Sequence, residues 1–140
     1  MSNQFIDLIT KRRTIYAIGK KVEHSPEFLT DLIQTAIKQS SSSFNSQSSR
    51  AVMLFNMEHE KFWTFVAENL KFYAKDEESA AKTTTKMASF AAGVGTVLFF
   101  EDLGVIQNLQ EQFPSYAENF PVWAEHSTAI AQFATWTALH

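Results

Sequence analysis

Ser40-Ser41-Ser42-Ser43-Phe44-Asn45-Ser46-Gln47-Ser48-Ser49-Arg50 joins two pieces of chain with different hydrophobic periods. Before it, residues 25–39 carry Phe28, Leu32, Ile33, Ala36 and Ile37 at the spacing of a helix with one buried stripe. After it, Ala51-Val52-Met53-Leu54-Phe55 is a continuous apolar run, which suits a strand covered on both faces. A helix that gives way to an apolar strand points to a mixed α and β domain. The joining stretch has a single apolar side chain, Phe44, among hydroxyls and two amides, Asn45 and Gln47. Serines and asparagines mark loops for backbone reasons alone. They also supply donors and acceptors without charge, which suits a flat heterocycle edged with carbonyls and ring nitrogens.

Working outward, Thr96-Val-Leu-Phe-Phe100 is a second short apolar run, and residues 51–55 and 96–100 are expected to be neighbouring interior strands flanked by helices. Gly93-Val94-Gly95 precedes that strand instead of opening a helix after one, so it is punctuation and not a dinucleotide fingerprint. Between the strands, residues 59–73 read as a helix with Phe62, Val66, Leu70 and Tyr73 on one side, widened by Trp63 and Phe65. Residues 75–79, Lys-Asp-Glu-Glu-Ser, read as a solvated break, and residues 80–92 as a segment that turns Met87, Phe90 and Ala91 inward. Asp102 can cap a helix carrying Leu103, Ile106, Leu109 and Phe113, which Pro114 ends. The last segment restarts near Asn119-Phe-Pro121. Its Val122, Trp123, Ile130, Phe133, Ala134, Trp136 and Leu139 leave little polar surface, so it must lie centrally or in a subunit interface.

At the other end, Phe5, Leu8 and Ile9 share a face of a short helix that runs into Lys11-Arg12-Arg13. Cations favour a helix C-terminus in any case. Two adjacent guanidinium groups also offer planar donor forks matched to phosphate oxygens, and Thr14 adds a hydroxyl. Ser25-Pro26-Glu27 has the cap, proline and acid of a helix start. The 140 residues fit one domain with ample apolar material, and a net charge of -3 gives no basic patch for a nucleic acid. The absence of cysteine, of a signal-peptide core and of a membrane-length apolar run fits a soluble cytoplasmic protein.

The pattern Ser42-Ser-Phe-Asn-Ser-Gln47 ahead of a strand resembles the flavin-contacting loop of the nitroreductase family, FMN-dependent enzymes that use NAD(P)H. Lys11-Arg-Arg-Thr-Ile-Tyr16 is similar to that family's phosphate-gripping segment, and Gly93-Val-Gly-Thr-Val-Leu-Phe-Phe-Glu-Asp102 fits its bacterial and fungal branch. The resemblance implies an α+β fold, a three-layer sandwich in which a central mixed sheet is flanked by helices, assembled as a homodimer through the helix of residues 120–139. It assigns Arg12, Arg13 and Thr14 to the FMN phosphate and Ser42, Ser43, Asn45 and Gln47 to the flavin ring. Phe44 stands at a substrate-facing position, and Lys86 is aligned with a cation near the pyrimidine edge. Tyr16 stands where many relatives have a second basic residue. Residues 1–140 then form a single nitroreductase-like domain that lacks the family's usual C-terminal third.

No local pattern supplies a metal site, a nucleophile elbow, a phosphate loop or paired carboxylates. A flavin enzyme needs none, because the cofactor carries the hydride chemistry. The expected activity is ping-pong reduction of nitroaromatics, quinones or similar flat acceptors by NAD(P)H through FMN. The alternative is a shortened, catalytically weak or inactive relative acting as a dimeric flavin-binding or regulatory protein.

Overall fold

The computed structural model describes residues 3–140. The chain is α+β and falls into two compact units, one of residues 1–13, 26–52 and 98–140, the other of Thr14–Ser25 and Met53–Val97. Both strands run through both units. Strand β1 (Ser49–Phe55) pairs with β2 (Gly95–Glu101) in the sheet. The Asp102 amide donates to the Ser48 carbonyl at 2.9 Å, while Gly95 lies against Leu54 and Phe55, so the strands run antiparallel. A Cβ on Gly95 would fall 2.8 Å from the Leu54 carbonyl oxygen, and only glycine lets the backbones approach there. Both expected strands are present and adjacent. They are not covered on both faces, however: Val52 and Phe100 are 45% and 51% exposed, on the face that also carries Arg50. Among the described residues no layer closes over that face.

In the first unit, α1 (Gln4–Lys11) is capped by the Asn3 side chain, which accepts from the Phe5 and Ile6 amides. Helix α2 (Pro26–Lys38) packs on α6 (Phe120–Ala138) through Leu29 and Ile33. The stripe expected on α2 holds at Leu32, Ile33, Ala36 and Ile37, while at its start Leu29 is buried in place of Phe28, which is exposed. Helix α5 (Leu103–Gln112) starts on the Asp102 carboxylate, as its position predicts, with Oδ1 accepting from the amides of Gly104 (3.0 Å) and Val105 (3.4 Å). Ile106, Phe120 and Ala124 form the buried centre of this unit, with Leu109 and Trp123 packed against them.

Helix α6 turns inward at Phe120, Ala124, Ser127, Ala131 and Thr135, a spacing of three and four residues. Its large residues Val122, Ile130, Phe133, Trp136 and Leu139 point outward. The apolar face expected to be covered is thus open in the single chain, and the small face is the one that allows close packing. The buried hydroxyls of Ser127 and Thr137 stay satisfied by donating to the carbonyls of Trp123 and Phe133, each at 2.8 Å.

In the second unit, α3 (Asn56–Lys71) and α4 (Glu77–Ala91) form a hairpin. The charged stretch read as a solvated break is shorter than expected, because Asp76 and Ser79 build a reciprocal capping box that starts α4 at Glu77. Tyr73 lies beyond α3 and is exposed. Among the described residues no helix is long and apolar enough to cross a membrane.

Candidate functional site

The stretch between α2 and β1 is a tight, ordered loop around one 3-10 turn, Ser43–Asn45. The Ser42 and Ser43 carbonyls accept from the Asn45 and Ser46 amides, both at 3.0 Å, and Ser42 Oγ accepts from the Gln47 amide at 3.0 Å. Phe44, Asn45 and Gln47 all take positive φ, at 55°, 51° and 49°. For an L-residue that region costs about 1–2 kcal/mol, least for asparagine. Three such residues in four positions need outside support.

That support comes from both flanks of the loop. The Ser43 amide donates to Ser127 Oγ on α6 at 3.4 Å. The Phe44 ring sits among Phe113, Phe120, Tyr116 and Trp123 at centroid distances of 4.9, 5.2, 5.7 and 5.9 Å, and lies nearly parallel to Trp123 at 17°. Ser49 Oγ is 2.6 Å from Thr128 Oγ1 and donates to Glu101, whose Oε1 also accepts from Thr128. On the other face of β1, Arg50 donates to the Gln47 carbonyl (2.8 Å), the Ser49 carbonyl (3.1 Å) and Asp102 Oδ2 (2.9 Å).

Held this way, the loop presents neutral polar edges outward. Gln47 Nε2 donates to Asn45 Oδ1 at 3.1 Å, which leaves the Asn45 amide nitrogen and the Gln47 side-chain oxygen exposed and unused. The Ser42 hydroxyl accepts one bond and keeps its own proton to donate. Sequence reading singled out the loop but missed what braces it. The signals were an arginine directly after the loop and the aromatic density of residues 113–123.

Arg12 is not the exposed helix-end cation that its position suggests. It ends α1 by donating its amide to the Leu8 carbonyl at 2.9 Å, and its guanidinium lies 3.9 Å from the Trp136 ring centroid and 5.8 Å from Phe133. Its Nε is buried without an acceptor. Arg13 is exposed, donates Nη1 to the Arg12 carbonyl at 3.0 Å and meets no carboxylate among the described residues. Arg12 and the loop thus rest on the same helix. Trp136 and Ser127 are separated by about 13 Å along its axis, at 1.5 Å per residue. Thr14 and Lys86 are exposed and belong to the second unit.

That unit holds a buried polar chain which the sequence did not reveal. His59 Nε2 is 3.1 Å from the Ala91 carbonyl, which can only accept, so Nε2 carries the proton. Nδ1 then accepts from Thr96 Oγ1 at 2.8 Å, and Thr96 in turn accepts from Trp63 Nε1 at 2.9 Å. Nearby, the Lys20 ammonium donates to Glu60, and this bond together with the charge of Lys20 holds the Glu60 carboxyl below its ordinary range.

A sequence model described as the nitroreductase family matches residues 9–140. The nitroreductase FRM2 of Saccharomyces cerevisiae is 33% identical over 141 residues, covering 99% of this chain and 69% of that protein. Nitroreductase CinD from Lactococcus lactis, solved in complex with nicotinic acid, is 42% identical, with a TM-score of 0.86 over 96% of this chain and 68% of that one. The same enzyme in complex with 4-nitrophenol superposes with a TM-score of 0.84. An FMN-bound structure from Exiguobacterium sibiricum, 14% identical at a TM-score of 0.59, shares the fold alone. With the family pattern matched along almost the whole chain and the fold matched by solved members, the protein belongs to the nitroreductase family of oxidoreductases.

Proposed function

We propose that this chain is an FMN-dependent oxidoreductase that uses NAD(P)H to reduce nitroaromatics, quinones or similar flat acceptors by a ping-pong mechanism, working as a homodimer. The observation that carries the reading is the braced loop, whose unused amide edges lie beside an aromatic cluster built on Phe44. Flat aromatic ligands in the CinD complexes, nicotinic acid and 4-nitrophenol, support the acceptor class.

The residues present fit FMN. Arg13 offers an exposed fork with no acidic partner among the described residues, and Arg12 keeps a buried N–H that lacks an acceptor. These two would hold the phosphate. Ser42, Ser43, Asn45 and Gln47 would hold the ring edge, with the Ser42 hydroxyl and the Asn45 amide as donors and the Gln47 oxygen as acceptor. Thr14 and Lys86 keep the roles that the resemblance assigns them, and Phe44 faces the acceptor. When bound, FMN would supply the two-electron chemistry between NAD(P)H and the acceptor. The protein's task is binding, orientation and exclusion of water. The open face of α6 supports the homodimer, since Val122, Ile130, Phe133 and Trp136 form an apolar surface that a second copy can cover.

The test is a titration of FMN into the chain, followed by flavin fluorescence. Anaerobic addition of NADH or NADPH should then bleach the flavin absorption, and a nitroaromatic should restore it. A chain that leaves FMN fluorescence unchanged overturns the reading.

A further inference from the structure

We infer that Arg50 is a positioning residue for the flavin-contacting loop, with Asp102 as its anchor; this rests on the functional reading above. The loop holds Phe44, Asn45 and Gln47 at positive φ, and free chain has no reason to stay there. Arg50 is the side chain that grips the backbone on the exit side of the strained segment. One nitrogen, Nη1, donates to the Gln47 and Ser49 carbonyls, and the other, Nη2, to Asp102 Oδ2. Asp102 is itself fixed, because its Oδ1 caps α5 through Gly104 and Val105. The brace therefore runs from the N-terminus of α5 through Asp102 and Arg50 to the carbonyl of Gln47. Ser127 and the aromatic cluster hold the entry side of the loop at Ser43 and Phe44. Among the described residues Arg50 is the side chain outside the loop that bonds Gln47, next to the Ser48 carbonyl held by the Asp102 amide. A point charge cannot replace this fork. Lysine could meet Asp102, but it has no rigid second nitrogen to serve the carbonyls at the same time.

Three loop amides report the state of the brace without any cofactor: Asn45 and Ser46, bonded to the Ser42 and Ser43 carbonyls, and Gln47, bonded to Ser42 Oγ. Hydrogen exchange of these amides should quicken at least about tenfold in Arg50→Ala, a factor well clear of ordinary surface effects. Amides in α3 and α4 should be unaffected. Arg50→Lys should recover only part of the protection. Asp102→Asn keeps an α5 cap, since asparagine caps as well as aspartate, yet loses the charged anchor, so it should loosen the same three amides. It serves as the second variant if Arg50→Ala fails to fold. With FMN, affinity should fall in step with loop protection, and KM for the acceptor should rise more than kcat falls. Unchanged loop exchange in both variants overturns the brace, as does full recovery by lysine. Loosened amides with unchanged FMN affinity overturn its role toward the flavin. If the parent binds no FMN the functional reading fails, while the exchange measurement still decides whether Arg50 holds the loop.

Discussion

The guanidinium of Arg12 lies 3.9 Å from the ring centroid of Trp136, so the first of the two motif arginines is stacked on α6. Its neighbour Arg13 reaches solvent. Adjacent residues of one motif are thereby given different jobs by packing. Arg12 ties the end of α1 to α6 and keeps only its Nε–H for an anion, while Arg13 presents an exposed fork.

Arg12→Ala should cost stability without flavin, by about 0.5–2 kcal/mol for a cation–π contact that is partly desolvated. It should also shift the fluorescence of Trp136. Arg12→Lys should recover only part of this, because an ammonium keeps the attraction to the ring but lacks the planar stacking face. Urea melts of parent and variants decide the matter, and equal midpoints would remove the structural role.

Arg13→Ala should leave flavin-free stability almost unchanged. It removes charge-assisted bonds to the phosphate, so FMN binding should weaken roughly tenfold to a hundredfold. Riboflavin, which lacks the phosphate, should bind parent and variant alike. Equal FMN affinities in the two proteins would sink the phosphate assignment.

His59→Phe should be the most damaging single change in the second unit. It leaves the Ala91 carbonyl unpaired in a buried place, at about 1–3 kcal/mol, and forces a larger ring into a site where His59 is 1% exposed. Trp63 shares the Thr96 hydroxyl with His59, so its emission should report the loss. A variant with the parent's urea midpoint would show that the chain Trp63–Thr96–His59–Ala91 carries no stability.

Acidification should weaken the start of α4. Bonds from the Ser79 amide, and then from its hydroxyl, hold the Asp76 carboxyl below its ordinary range. A carboxyl depressed in the folded state contributes stability above its unfolded pKa, and loses it as pH falls through the folded value. Asp76→Asn keeps the cap and abolishes that titration. The parent's Tm should therefore drop more than the variant's between neutral pH and about pH 3, below the usual aspartate range. Parallel Tm curves would rule out this contribution.

Sedimentation at low micromolar concentration should give a dimer. Ile130→Glu places a charge on the open face of α6, 45% exposed in the single chain, and should shift the equilibrium toward monomer. A parent that sediments as a compact, folded monomer would refute the assembly.

The sequence by itself determined the elements and their order, because those follow from local periods and caps. The apolar runs at residues 51–55 and 96–100 had to be strands, Asp102 had to start a helix, and Asn119-Phe-Pro had to restart one. It also marked the residues of the loop and of the arginine pair, since their side-chain chemistry is visible in the chain. Only the tertiary structure decided which faces were covered. Helix α6 is apolar nearly all round, so hydropathy could not choose between its sides; close packing on α2 and α5 selected the small face of Ala124, Ser127 and Ala131. The same long-range packing stacked Arg12 on Trp136, gathered four rings about Phe44 and set Arg50 between Gln47 and Asp102. Apart from that of Arg50 with Gln47, those contacts join residues far apart in sequence, and periodicity, a property of neighbours, carries no record of them.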